Sequence, residues 1–317
     1  MTTSGTYTFS RNRDQLIASA LRKCSAIESG ETPGSDMISD ASEALNAMVK
    51  HWQASGIHIW TTQEAILFPA VSRNLYYVGS TTTDRVAGPY AQTSLSADAA
   101  SGASTITVDS IVGIATTYTI GVLLDDGTVQ WTTVNGAPSG STVTLTATLT
   151  GAASDGNSVF AYQALLVRPL KILTARRHNL TSKIDVDLME MDRAEYQAMP
   201  NKTDESTVNS FFYDRRGGAN ALGAINLWPT PADLTDAIKM TVARPIQDFT
   251  VAGDDCDLPQ EWIRTIEWNL ADEIADEYDV PEPKRTRIER RAAEYLAEVN
   301  WWEKELTAIS FVPSFNR

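Results

Sequence analysis

The stretch between Arg85 and Arg168 contains no lysine or arginine, and Ser, Thr, Ala and Gly are very frequent in it. Within it, short alternating runs are separated by the turn signals DDG, NG and SG. Alternation with a period of two is typical of β-strands. The change in composition therefore marks a boundary, and we expect residues 90–163 to form a small all-β domain inserted into a different kind of chain. Its uncharged and acidic surface fits either a solubility device or a partner-binding face.

The chain before this stretch begins with two helical patterns. In RDQLIASALRKCSAIESG the apolar residues recur at spacings of three and four, which predicts a helix followed by Gly30 as a left-handed cap. After the turn GETPGS, Ser35 or Asp36 is expected to cap a second helix that ends at Gly56. The short connection predicts a helical hairpin.

Strand patterns follow the hairpin and return after the inserted stretch, in runs such as RNLYYVG, IDVDLMEM and AIKMTVARPIQDF. The C-terminal part is helical again, with Asp257 as the expected cap of one helix and a second helix after VPEP. We therefore expect an α+β fold. Its core is residues 1–89 and 164–317, with an N-terminal helical hairpin, C-terminal helices and β-strands, and it is interrupted by the all-β domain 90–163.

The overall composition restricts the class of protein. The chain has 317 residues, 43% of them hydrophobic and 21% charged, and no apolar run reaches the length of a membrane span. No secretory signal is visible, so we expect a cytoplasmic protein when it is made. A formal net charge of −14 argues against a protein that binds nucleic acid by neutralising phosphates. Two cysteines are too few for a disulfide scaffold.

A search for catalytic chemistry finds little. The sequence has no phosphate-binding glycine motif, no GxSxG and no HExxH. Only His51, His58 and His178 are available as histidine ligands, so a metal site is not expected. Carboxylate pairs can be imagined, Glu64 with Asp84 or Asp272 with Glu273, but forty acidic residues make such pairings inevitable by chance. We expect no enzyme activity and no cofactor.

Two features near the C-terminus suggest contacts with partners. The first is the one concentration of positive charge, formed by Lys284, Arg285, Arg287, Arg290 and Arg291. It is either a face toward DNA or a partner, or a set of intrahelical pairs with the neighbouring glutamates.

The second feature is aromatic. Trp301 and Trp302 are adjacent, so a helix cannot direct both toward its own core, and Phe311 and Phe315 follow in an extended, proline-containing tail. Exposed rings on a terminal segment indicate docking to a partner.

Eight segments on either side of the inserted stretch follow one another in a distinctive order. They are LNAMVKHWQASGIHIWTTQEAILF, YYVG, LLVRPLKILTARR, IDVDLMEMDRAEYQAMPNK, FFYDRR, INLWPTP, MTVARPIQDF and LPQEWIRTIEWNLADEIADEYDVP. This order resembles that of head-to-tail adaptor (connector) proteins of tailed bacteriophages, in particular the tail accessory factors of short-tailed phages. The resemblance covers residues 7–89 and 164–312.

The resemblance implies a structural protein of the virion neck. It forms a homo-oligomeric ring, usually of twelve copies, between the portal protein and the tail nozzle or other tail proteins, and double-stranded DNA passes through the channel without specific binding. A portal-docking arm would begin at about residue 295, and its anchors would be Tyr295, Trp301, Trp302, Phe311 and Phe315. The negative net charge then suits a channel that must not retain DNA. The alternative interpretations are a virion-associated peptidoglycan hydrolase and an unrelated surface protein that binds sugar or protein.

Overall fold

The computed structural model describes residues 5–55, 61–215 and 222–302, without the side chain of Trp302. The chain is α+β. The helices are α1 (Arg13–Cys24), α2 (Ser35–Ala54), α3 (Arg193–Ala198), α4 (Trp262–Glu273) and α5 (Glu282–Trp302). The strands are β1 (Thr62–Leu67), β2 (Leu75–Val78), β3 (Val86–Ala87), β4 (Tyr90–Ser94), β5 (Thr105–Thr107), β6 (Thr119–Leu123), β7 (Val129–Thr133), β8 (Thr142–Thr144), β9 (Ser158–Tyr162), β10 (Lys171–Asn179), β11 (Asp185–Asp187), β12 (Met189–Glu190), β13 (Glu205–Ser206), β14 (Ser210–Asp214), β15 (Gly223–Trp228), β16 (Thr230–Pro231) and β17 (Asp236–Ala243).

The chain divides into two compact units. Unit 1 contains both ends of the chain, residues 1–61 and 246–317, and unit 2 contains residues 62–245. The helices α1, α2, α4 and α5 belong to unit 1, and all the strands belong to unit 2.

The four helices of unit 1 share one hydrophobic core. The apolar stripes expected from the sequence face inward, and Leu16, Leu45, Trp262 and Ile288 are among the fully buried side chains. Trp52 of α2 packs on Trp262 of α4 with ring centroids 5.7 Å apart. Burial of these stripes, rather than intrinsic helix propensity, supplies most of the stability of such helices.

The helix ends differ from the expectations. The first helix ends at Cys24, because Ser25 adopts the left-handed conformation (φ 62°) that was expected of Gly30. The second helix is capped by Gly34 without a side-chain hydrogen bond, so neither Ser35 nor Asp36 is its cap. The helix α4 begins at Trp262 after Glu261, and Asp257 instead accepts a hydrogen bond from the amide of Gln247.

Unit 2 contains a five-stranded and a four-stranded sheet that share a core. The first has the order β11-β10-β17-β1-β3, and the second has the order β12-β14-β15-β2. Residues of both sheets form one buried cluster, which includes Leu67, Ile172, Phe211, Leu227 and Val242.

Residues 90–163 lie within unit 2 and form a four-stranded sheet, β4-β9-β6-β7, and the two-stranded pair β5-β8. These strands bury a cluster of their own, which includes Ile106, Val122 and Val143. A further buried cluster contains residues of both sheets. Phe160 and Tyr162 of β9 contribute from the small sheet, and Ile66 of β1 and Ala237 of β17 contribute from the five-stranded sheet. Ala237 lies opposite His178 of β10. The small sheet therefore packs directly on one face of the five-stranded sheet.

Candidate functional site

The C-terminal helix α5 is held on α4 by one of its faces. Ile288 and Ala292 are buried in the core of unit 1. The side-chain amide of Asn269 on α4 donates a hydrogen bond of 3.2 Å to the carbonyl oxygen of Ala292. These contacts fix the direction in which α5 leads toward the C-terminal segment of the chain.

The expected portal anchors occupy different environments. The ring of Tyr295 is half-buried, 6.3 Å from the Trp268 ring, and the guanidinium of Arg264 lies 4.6 Å from its centroid. Trp301 is 73% exposed at the end of α5. Trp302 belongs to α5, and its side chain, like all of Phe311 and Phe315, lies outside the described residues. Of the residues expected to be anchors, Trp301 is thus the one whose described side chain is mostly exposed.

Most of the basic run on α5 has acidic or hydroxyl partners. Lys284 donates to the hydroxyl of Ser25, and Arg285 pairs with Asp276 and with Glu289, the latter at 3.1 Å. Arg290 and Arg291 both approach Glu294, at 3.7 and 3.6 Å. Arg287 is exposed, and the described part of the chain places no acidic side chain within ion-pair distance of it. Three carboxylates, those of Asp276, Glu289 and Glu294, therefore partly neutralise the five positive charges of the run, which weakens its attraction for DNA.

A buried ion network lies at the base of the N-terminal segment. Glu267 of α4 accepts from Arg11 at 2.6 Å and from Lys23 of α1 at 2.7 Å. Burial lowers the pKa of Lys23, and the hydrogen bond from its ammonium to Glu267 opposes that shift. Asn12 forms a bridge with Asp255 beside this network. The network anchors residues 11–12 to unit 1.

A second buried polar network lies between the small sheet and the five-stranded sheet. His178 of β10 is 2% exposed, its Nδ1 lies 2.5 Å from Oδ1 of Asp185, and its Nε2 lies 3.2 Å from the side-chain nitrogen of Gln92 on β4. Burial lowers the pKa of His178 despite its bond to Asp185. Burial favours a higher pKa for Asp185, but the bond from His178 and the charge of Lys239 lower it overall. A neutral imidazole that donates Nδ1–H to the Asp185 carboxylate fits these directions.

Sequence reasoning missed both networks. Glu267 lies far along the chain from its two cationic partners, and no local spacing joins Gln92 to His178 and Asp185. Only the tertiary fold brings these side chains together. A spacing signal exists for the i, i+4 pairs of α5, where Arg285 meets Glu289 and Arg290 meets Glu294.

The acidic and histidine residues considered for catalysis have mainly structural contacts. Asp84 is buried, pairs with Arg73 at 2.7 Å and accepts from the amide of Tyr77. Glu64 accepts from Arg176 and from the hydroxyl of Thr241. His51 is exposed on α2, and His58 lies outside the described residues.

Metal and membrane features are also lacking in the described ranges. Residues 5–55, 61–215 and 222–302 contain no group of three or more His, Cys, Asp or Glu side chains placed to hold a metal ion. None of the described helices is both long and apolar enough to span a membrane. Burial raises the pKa of each cysteine thiol to about 11, so neither Cys24 nor Cys256 is an activated nucleophile.

Comparisons with known proteins add little. No protein-family model matches the chain, and no curated protein matches it. One solved structure that was compared is VP17, a capsid protein of bacteriophage P23-77, with 11% sequence identity over 57% of this chain and 82% of that chain. The TM-score of 0.12 is too low for this likeness to carry an argument about fold or function.

Proposed function

We propose that this chain is a structural head-to-tail adaptor of a tailed bacteriophage, which forms a ring between the portal protein and the tail. The observation that carries the proposal is the order of segments that resembles these adaptors. One structural feature supports it: the helices near both ends of the chain, α1 with α2 and α4 with α5, share one core. In the proposal this helical unit is the adaptor body, and residues 90–163 are an all-β domain inserted into the remaining chain.

The exposed end of α5 supports a role for the C-terminal segment in portal binding. Trp301 is exposed, and the chain continues beyond it with an apolar-rich sequence that contains Phe311 and Phe315. Large aromatic side chains contribute about 2 kcal/mol or more each when they anchor an interface. We therefore assign portal docking to the segment from about residue 295, with Trp301 and the following aromatic residues as anchors.

The electrostatics of the chain suit a conduit for DNA. The net charge is −14, and four of the five basic residues in the run on α5 already have intrachain partners. A surface of this kind does not retain phosphates, which a protein around a DNA channel must let pass. The ring would reside in the neck of the virion after assembly in the host cytoplasm.

The test is assembly on a portal. We expect the purified full-length protein to be a monomer by native mass spectrometry, and to form a ring, visible by negative-stain electron microscopy, when mixed with the portal protein of the same phage. A stable ring of the purified protein alone would contradict template-dependent assembly. No binding to the portal would refute the adaptor function.

A further inference from the structure

We infer that residues 5–10 of one copy pair as an added β-strand with the free edge of β11 in a neighbouring copy, so that this contact links the subunits of the ring. The inference rests on the proposed function, since it names the contact between copies that a ring requires. It concerns an interaction surface and a segment that lie in different units of the chain.

The first observation is a sheet edge along which no described strand pairs. The five-stranded sheet ends in β3 on one side, where Ala87 is covered by a bridge to Leu165, and in β11 on the other. Residues 181–187, which include all of β11, are exposed. Proteins normally cover or blunt such an edge, because its free backbone groups are a template for another strand.

The hydrogen-bond pattern shows which backbone groups are free to pair. Asn179 donates to the carbonyl oxygen of Ile184, and Leu188 donates to that of Ala175, so residues 184 and 188 direct their backbone groups toward β10. Alternation in an antiparallel pair gives Val186 the same direction. The N–H and C=O groups of Asp185 and Asp187 therefore point to the open edge.

The second observation is a segment suited to pair there. Residues 5–10 belong to no helix or strand, and each of them is exposed. Their sequence, GTYTFS, alternates hydroxyl-bearing and aromatic residues, which are strongly favoured in strands. Tyr7 is 88% and Phe9 59% exposed. The network of Arg11 with Glu267 fixes the base of this segment on unit 1.

The two surfaces are complementary in side-chain pattern. Ile184 immediately precedes β11 and is 61% exposed. Ile184 and Val186 lie on one face of this edge, and Asp185 and Asp187 lie on the other. An added strand with Tyr7 and Phe9 over the aliphatic face brings its hydroxyl-bearing residues to the aspartate face. Hydroxyl groups can donate hydrogen bonds to those carboxylates.

The charges also permit the contact. Residues 5–10 carry no charged side chain, and the arginines that follow them, Arg11 and Arg13, are paired with Glu267 and Asp14. The edge carries Asp185 and Asp187, and Glu190 and Asp192 follow along the chain. Two copies of the acidic edge repel each other, whereas the uncharged N-terminal segment is not repelled by it. The contact is therefore heterologous, with a different surface on each copy, which is the type of interface that closes into rings.

Cross-linking between copies tests the contact. Full-length Phe9→Cys is mixed with a mass-tagged full-length Val186→Cys and treated with a short bismaleimide, in concentrated solution and on the portal. We expect a mixed cross-linked dimer in at least several-fold higher yield than with the control Val112→Cys, a valine of unit 2 that is more exposed than Val186 (84% against 45%) and lies away from the edge. Each single variant, treated alone with the same reagent, gives the background of cross-links that involve Cys24 and Cys256.

Two further variants probe the hydrogen bonds and the rings separately. Asp187→Pro removes an N–H that faces the open edge and leaves the bonds to β10 in place, and proline is tolerated on edge strands. We expect it to abolish the cross-link, whereas Asp187→Asn keeps it. If the proline variant does not fold, the double variant Tyr7→Ser, Phe9→Ser is used in its place. Both of these positions are exposed, so we expect the double variant to stay folded and to lose ring formation.

The outcomes separate this inference from the adaptor function. Cross-linking no stronger than with Val112→Cys, both in solution and on the portal, would overturn the inference, as would normal rings from the serine variant. Rings on the portal without the cross-link would leave the adaptor function intact and reject this contact. A cross-link between copies in a protein that does not bind portal would support the contact and reject the adaptor function.

Discussion

Replacement of Glu267 by glutamine should destabilise unit 1 strongly. Glu267 is the shared acceptor of Arg11 and Lys23, and it is buried on α4. Loss of one member of a buried ion pair costs about 3–5 kcal/mol, because the other charge stays buried without its partner. Arg11 keeps a third of its side chain exposed and can turn to water, so the lower end, about 3 kcal/mol, is expected.

The pH dependence of the loss follows from Lys23. Burial already lowers the pKa of Lys23 in the native protein, and both the hydrogen bond and the charge of Glu267 raise it. Without Glu267 the pKa of Lys23 falls further. In the Glu267→Gln variant the unfolded chain then binds more protons than the folded chain over a wider range of pH than in the unmodified protein. The stability lost by the substitution should therefore shrink as the pH rises toward 10.5, the ordinary pKa of lysine.

The free energy of unfolding is measured by urea denaturation. Hydrogen exchange of the α1 and α4 amides reports on unit 1 separately from unit 2. The matched control is Glu294→Gln, which also removes a carboxylate shared by two cations, Arg290 and Arg291, but on an exposed face of α5. Exposed pairs contribute about 0–1 kcal/mol. Equal losses in the two variants, or a loss that does not diminish at high pH, would refute the reasoning.

Three other perturbations follow from the structure. The pKa values of His178 and Asp185 in the folded protein both lie below their ordinary values, so the unfolded state takes up protons first as the pH drops below 6.5, and the free energy of unfolding should fall. Urea titrations from pH 7 to 4 should show that the free energy of unfolding falls less steeply with pH in His178→Gln than in the unmodified protein. An equally steep fall in the variant would contradict this. Replacement of residues 90–163 by a short linker should preserve ring assembly on the portal but lower the melting temperature, because it uncovers Ile66. Negative-stain imaging measures the assembly, and calorimetry measures the melting temperature. Loss of portal binding would reject the idea that the region is dispensable. Truncation after Leu306 should leave thermal unfolding nearly unchanged while portal binding collapses, and undiminished affinity would move the docking role to the basic run on α5.

The sequence predicts local structure well where one repeating pattern decides it. The apolar stripes of α1, α2, α4 and α5 are visible as residues three and four apart, and the α+β class follows from them and from the strand patterns. The ends of helices are harder to predict, because a single residue decides them. Ser25 takes a left-handed conformation that its type does not favour, and the helix α1 stops there instead of continuing toward Gly30.

The pairing of strands could not be predicted, since it joins distant parts of the chain. The strand β1 pairs with β17, so that Thr62 lies opposite Ala243, and nothing in either run specifies that partner. The same limit holds for the candidate site. The aromatic end of α5 is visible as the pair Trp301 and Trp302, whereas the free edge of β11 exists only because β10 pairs with β17 on its other side.

The length of the β11 edge bears on why assembly would need a template. Only Asp185 and Asp187 direct backbone groups outward, so an added strand gains few ladder hydrogen bonds, each contributing about 0.5–1.5 kcal/mol net. Ordering residues 5–10 costs about 1–2 kcal/mol per residue, which is as large as the gain from these hydrogen bonds or larger. A contact of this size is weak between free monomers. When a portal holds neighbouring subunits side by side, the effective concentration of each N-terminal segment at the next edge rises, and the same contact becomes sufficient to close the ring.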